Sequence, residues 1–145
     1  MYKNILIPTD GTDLSRKAIY HGIELARSMD AKVTGLNISL PWTTIAIGEI
    51  VSAIPEADYI EAHKSFGEEA LQIISDTANA AGVTCNVVHV FHNHPYQAIL
   101  ETARDEKCDL ICMASHGRRG LEGLILGSET VKVLTHCNVP VLVYK

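Results

Sequence analysis

Short apolar runs and amphipathic stretches alternate along this chain, and that alternation constrains the fold more than any other feature. Residues 3–9 (KNILIPT) form an apolar run of the kind found in a strand covered on both faces. Thr12 and Asp13 then offer caps to a helix along which Leu14, Ala18, Gly22, Leu25 and Met29 recur at close to helical spacing. A second strand is predicted over 32–40. A long helix is predicted over about 56–81, with Gly67, Leu71, Ile74, Ala78 and Ala81 on one face and Gly82 just past its end. A third strand follows over about 84–91, and His94-Pro95 opens a helix that runs to about Lys107. Asp109–Ala114 reads as a fourth strand, Ser128 as the cap of a last helix to about His136, and Val139–Tyr144 as a fifth strand. Strands that alternate with helices imply right-handed crossovers and a parallel sheet with helices on both faces. No internal repeat, linker or low-complexity tract interrupts the pattern, so one domain over 1–145 is expected.

Charge narrows the partners. The formal net charge of −5 argues against a non-specific nucleic-acid binder, which needs clustered cations. Any anion held here must be held by local donors. No apolar run approaches the roughly 20 residues of a membrane span. The first strand is too short for a signal-peptide core, and Cys85, Cys108, Cys112 and Cys137 lack paired CxxC spacing. They read as reduced, buried thiols, and the cytoplasm is the expected address. Residues 41–55 are unusually apolar for a connection. They read either as a loop packed over the sheet edge or as a lid or partner surface anchored by Trp42.

In open α/β sheets, ligands sit beyond the C-terminal strand ends where the strand order reverses. The first strand ends in Pro8-Thr9-Asp10-Gly11-Thr12, and the fourth in Met113-Ala114-Ser115-His116-Gly117. The second loop continues through Arg118, Arg119, Gly120 and Gly123 to Gly127-Ser128-Glu129-Thr130, where the last helix begins. Its glycines permit positive φ and close backbone approach. The Gly127-Ser128 junction should direct free amides at a bound phosphate, and a side chain at Gly127 would take the ligand's space. Glu129 suits the helix dipole but opposes a phosphate, which Arg118 and Arg119 would offset.

These residues resemble the nucleotide-binding branch of the universal stress protein family, over essentially the whole chain. The family motif G-x2-G-x9-G-[S/T] is matched here by Ala114-x2-Gly117-x9-Gly127-Ser128, after a Pro-Thr-Asp loop on the first strand. Ala114 departs from it, placing a methyl group where the first glycine stands and favouring a shorter nucleotide such as AMP. The resemblance implies a five-stranded parallel sheet in order 3-2-1-4-5, the adenine nucleotide alpha hydrolase-like fold. It also implies bound ATP or AMP, with Mg2+ alongside ATP, and a homodimer through the fifth strand. By position, Pro8, Thr9, Asp10, Ile38 and Met113 would hold the adenosine end. Ala114, His116, Gly117, Arg118, Arg119 and Gly120 would line the phosphates, with Gly127, Ser128, Glu129 and Thr130 completing the cradle.

The leading reading is a nucleotide-dependent regulatory dimer of the stress response. The alternative is a slow ATPase or phosphotransferase, with Asp10 placing a divalent ion and His116 assisting. Asp10 reads otherwise as a helix cap, and His116 as a structural hydrogen-bonding group. No G-x4-G-K-[S/T] or G-x-S-x-G motif occurs. His89, His92 and His94 resemble a metal cluster, but 89 and 92 would point to opposite faces of one strand. Cys108 and Cys112 would stand roughly 13 Å apart along a strand, too far for one tetrahedral ion. No metal site is expected. The fifth strand is an apolar edge blunted only by Pro140, so Val139, Val141 and Val143 are expected to pair with a second copy.

Overall fold

The computed structural model describes residues 1–46, 54–116 and 125–145. The strands are β1 (Asn4–Pro8), β2 (Lys32–Ser39), β3 (Cys85–Phe91), β4 (Leu110–Ala114) and β5 (Val141–Tyr144). The helices are α1 (Asp13–Met29), α2 (Trp42–Ile45), α3 (Glu56–Ala80), α4 (Pro95–Asp105) and α5 (Ser128–His136). All strand pairs are parallel, in the order β3-β2-β1-β4-β5. After β1 the chain builds outward through β2 and β3. It then returns to the other side of β1 and builds β4 and β5, so the order reverses between β1 and β4.

Alternate residues of β1 serve opposite faces of the sheet. Ile5 and Ile7 pack with Ile19 and Ile23 of α1 and Leu71 and Ile74 of α3. Leu6 faces the other way, onto Ile99 of α4 and Val133 of α5. The full burial of Ile5, Leu6 and Ile7 explains why β1 reads as a continuous apolar run.

Helix α1 starts where Thr12 caps it, its side chain accepting from Ser15 N at 3.3 Å. It ends at Asp30, in the left-handed region at φ 54°. The buried stripe is Ser15, Ala18, Ile19, Gly22, Ile23 and Ala26. Leu14, Leu25 and Met29 are only half-buried, so the stripe is turned from the expected one. Gly22 sets that rotation: a Cβ there would lie 2.8 Å from Ile7 Cδ1, so the helix rests its barest point on the sheet. Helix α3 buries Gly67, Leu71, Ile74 and Ala78 as expected, leaves Ala81 half-buried as its C-cap, and is followed by Gly82 at φ 69°.

Element ends differ from expectation by one or two residues, with β2 closing at Ser39, α4 closing at Asp105 and β4 opening at Leu110, and three further differences shape the connections. The connection after β2 holds a short helix, α2, and Trp42 Nε1 donates to Ile54 O at 3.3 Å. Trp42 is half-buried, and residues 47–53, the middle of the apolar 41–55 stretch, lie outside the described residues. Helix α5 has Gly127 as its N-cap and Ser128 as its first helical residue. Strand β5 begins at Val141, because the carbonyl of Pro140 makes the first ladder bond, accepting from Ile111 N at 3.0 Å. Among the described residues no helix is long and apolar enough to cross a membrane.

Candidate functional site

The reversal of strand order leaves a cleft of about 490 Å³ beyond the C-terminal ends of β1, β2 and β4. Three segments of backbone wall it, and each is pinned from elsewhere.

The β1 loop is pinned by β2. Thr9 N donates to Leu36 O at 2.8 Å, and Asn37 Nδ2 donates to Thr9 O at 2.9 Å. Thr9 and Ser15 share a hydroxyl hydrogen bond at 3.1 Å, and Gly11 turns the chain at φ 80°. Asp10 Oδ1 accepts from the Thr12 amide at 3.0 Å and the Thr12 hydroxyl at 2.7 Å. Its carboxylate therefore stands at the mouth of the cleft while bracing the start of α1. The cap itself is Thr12, so Asp10 acts one step behind it, bonding to Thr12 rather than capping α1 directly.

The β4 end is pinned by β5 and α5. Ser115 N donates to Tyr144 O at 2.7 Å. The Thr130 hydroxyl donates to Ser115 O at 3.0 Å and lies 3.2 Å from Ala114 O. Gly127 N also donates to Ser115 O, at 2.8 Å, which ties the neck of the intervening loop. A Cβ at Gly127 would meet His116 Cα at 3.0 Å, His116 Cβ at 3.1 Å and Ser115 O at 3.3 Å. The chain's own crossing therefore crowds this position, a constraint beside the ligand space expected from the sequence. Its φ of −62° needs no glycine.

The start of α5 is the third wall. Gly127 gives no side-chain cap, and the first intrahelical acceptor it offers, its carbonyl, goes to Val131 N. Among the described residues the amides of Ser128, Glu129 and Thr130 have no partner, as the first turn of a helix dictates. They present donors and the positive end of the helix dipole to the cleft. The rear of the cleft is apolar, lined by Leu36, Ile38, Leu40, Ile99 and Met113.

Of the expected site residues, the structure gathers Pro8, Thr9, Asp10, Ile38, Met113, Ala114, His116, Gly127, Ser128, Glu129 and Thr130 around this one cleft. Gly117, Arg118, Arg119 and Gly120 lie outside the described residues. His116 Nδ1 shares a hydrogen bond with Ser115 Oγ at 3.1 Å. Glu129 does more than sit on a helix end: its Oε2 accepts from Tyr96 N at 2.8 Å, and its Oε1 pairs with Lys132 at 2.9 Å. The sequence did not reveal this link, nor the role of Asn37, which is buried with Oδ1 unpartnered among the described residues. A lone amide in the apolar β2 was the available signal for Asn37.

Strand β3 ends at Phe91, so His92 lies beyond it and next to His94, their ring centres 6.2 Å apart. His89 pairs with Ser39 Oγ at 3.0 Å, whereas His92 lies 3.6 Å from Glu101 and accepts from His94 N at 2.9 Å. Among the described residues no group of three candidate ligands could hold a metal ion. All four cysteines are free thiols, and burial pushes the Cys112 thiol up to about 12. A second cavity, of about 350 Å³, lies at the other end of the strands. It lies by the residues that follow the C-terminal ends of α1 and α3, and Lys3, Arg27, Asp30 and Lys32 line it.

The model of the universal stress protein family matches residues 1–145. The chain belongs to the universal stress protein family. Universal stress protein MJ0531 of Methanocaldococcus jannaschii is 34% identical over 148 residues, covering 100% of this chain and 83% of its own length. Among solved structures, that of MJ0577 is 28% identical with a TM-score of 0.81, covering 100% of this chain and 96% of that one. Three other solved universal stress proteins share 17–24% identity, with TM-scores of 0.67–0.69 over 99% of this chain and 91–98% of theirs. One was crystallised with cAMP, one from Archaeoglobus fulgidus with dAMP, and one from Arabidopsis thaliana with AMP. The adenine nucleotide alpha hydrolase-like fold inferred from the motif is the fold found.

Proposed function

We propose that this universal stress protein binds an adenine nucleotide, ATP or AMP, in the cleft between β1 and β4, and acts as a nucleotide-dependent regulatory dimer in the stress response. The observation that carries the reading is the pairing of an apolar rear wall with three amides at the start of α5 that have no partner among the described residues. A planar base suits the apolar wall formed by Leu36, Ile38, Ile99 and Met113, and an anionic phosphate suits the amides. Asp10 stands beside the base wall, where a carboxylate can accept from ribose hydroxyls. The nucleotides held by related structures support the same assignment. With ATP, Mg2+ would take its ligands chiefly from the phosphates, with Asp10 the nearest carboxylate for one more. No residue is assigned a catalytic role.

The dimer reading rests on β5. Pro140 and Tyr144 give their carbonyls to β4, so the backbone groups of Val141 and Val143 turn to the open edge. Their side chains, with Val139, pack on the α4–α5 side of the sheet. Leu142 of β5 and Val131 and Leu134 of α5 are exposed apolar side chains, at 37%, 47% and 44%. An unpaired strand with an apolar side chain exposed on it suits a symmetric partner.

Mass spectrometry of the small molecules released on heating the purified protein tests the nucleotide reading. AMP or ATP is the expected species. Their absence, together with calorimetric silence toward both, would refute it. Turnover with Mg2+ in wild type and Asp10→Ala separates binding from slow hydrolysis, since equal background rates exclude the enzyme.

A further inference from the structure

The described lining of the cleft contains two carboxylates, Asp10 and Glu129, one imidazole, and no lysine or arginine. Glu129 is the second residue of α5, so its charge stands within the same turn as those three amides. Both of its oxygens are engaged, Oε2 by the Tyr96 amide in the first turn of α4 and Oε1 by the Lys132 ammonium. Lys132 also lies 5.6 Å from the centre of the Tyr96 ring and is not among the residues that line the cleft. The carboxylate is therefore held in place from two directions, and its counter-ion is committed to it rather than offered to a ligand.

We infer that Glu129 sets the phosphate tolerance of the cleft, biasing it toward one phosphate and against three. This inference rests on the nucleotide-binding reading above. Repulsion from a fixed carboxylate grows with the ligand's charge, so ATP feels it more than AMP. Lys132 acts with the opposite sign, since it cancels part of that field.

Calorimetric titration of the whole protein with AMP and with ATP, in wild type, Glu129→Gln and Lys132→Gln, tests the assignment. Glutamine keeps an oxygen for the Tyr96 amide, so the α4–α5 contact survives while the charge is lost. The ATP:AMP affinity ratio should rise roughly three- to tenfold in Glu129→Gln, the size one unit charge exerts near contact distance in a watery site. The same ratio should fall in Lys132→Gln. A merely structural role for the pair would not move the ratio in opposite directions. Ratios that are equal in all three proteins, or that shift with one sign in both variants, overturn the role of Glu129 and leave nucleotide binding standing. No heat from wild type with either nucleotide overturns the nucleotide reading and this inference together.

Discussion

Two glycines carry constraints that come from the protein rather than from any ligand. The chain closes on itself at Gly127, where a Cβ would crowd His116 Cα at 3.0 Å and Ser115 O at 3.3 Å. Gly127→Ala should therefore cost about 1–3 kcal/mol of stability even without nucleotide, as overpacked sites do. Urea denaturation of the ligand-free protein measures this, and an unchanged midpoint would contradict it. Gly67 makes a similar bare spot on α3, because a Cβ there would lie 2.6 Å from His89 Cδ2 and 2.9 Å from Asn37 Oδ1. His89 is thus pressed between α3 and the sheet. Burial first, then the charges of His63 and Lys64, hold its pKa below the ordinary 6.5, with Glu68 opposing. The unfolded chain takes up this proton as the pH falls through about 6.5, while the folded chain still resists it. Stability should be full above that pH and decline below it, and His89→Gln should flatten the decline in urea midpoints measured from pH 7.5 to 5.

Helices in this protein are started by contacts of two kinds. Thr12 caps α1 from three residues away, a local device readable in the sequence. Thr12→Ala should lower stability by about 1 kcal/mol, read as a drop in the chemical-denaturation midpoint with the slope unchanged. Helix α4 receives no side-chain bond from its own N-cap, His94, and is met instead by Glu129 from 33 residues away. Such a contact leaves no trace in local pattern. The same division explains α1, whose amphipathic character was plain but whose buried stripe depended on where Gly22 met Ile7. Helical spacing of apolar side chains fixes a period, and only the facing sheet fixes the phase.

For the molecule as a whole, the open edge of β5 is the feature with the largest consequence. If it pairs with a second copy, Leu134→Glu should convert a dimer to a folded monomer. Leu134 is a 44% exposed apolar residue of α5, the helix that leads into β5, and lies outside the buried clusters. Light scattering at micromolar concentration would show a halved mass with unchanged circular dichroism. A wild-type monomer at that concentration would argue against the dimer.

The apolar runs, their alternation with helices and the two polar loops were written in residue types, because burial and turn chemistry act locally on each side chain. The spacing of Gly117, Gly127 and Ser128, with the Pro-Thr-Asp loop, carried the resemblance to the family, and the strand order came only as what that resemblance implied. Folding alone decided that Asn37 would hold Thr9 and that Glu129 would bridge to α4. It also decided that Gly127 would answer to Ser115 and His116. Those contacts join residues distant in the chain, and hydrogen bonds and packing of that reach exist only once the sheet has brought its strand ends together.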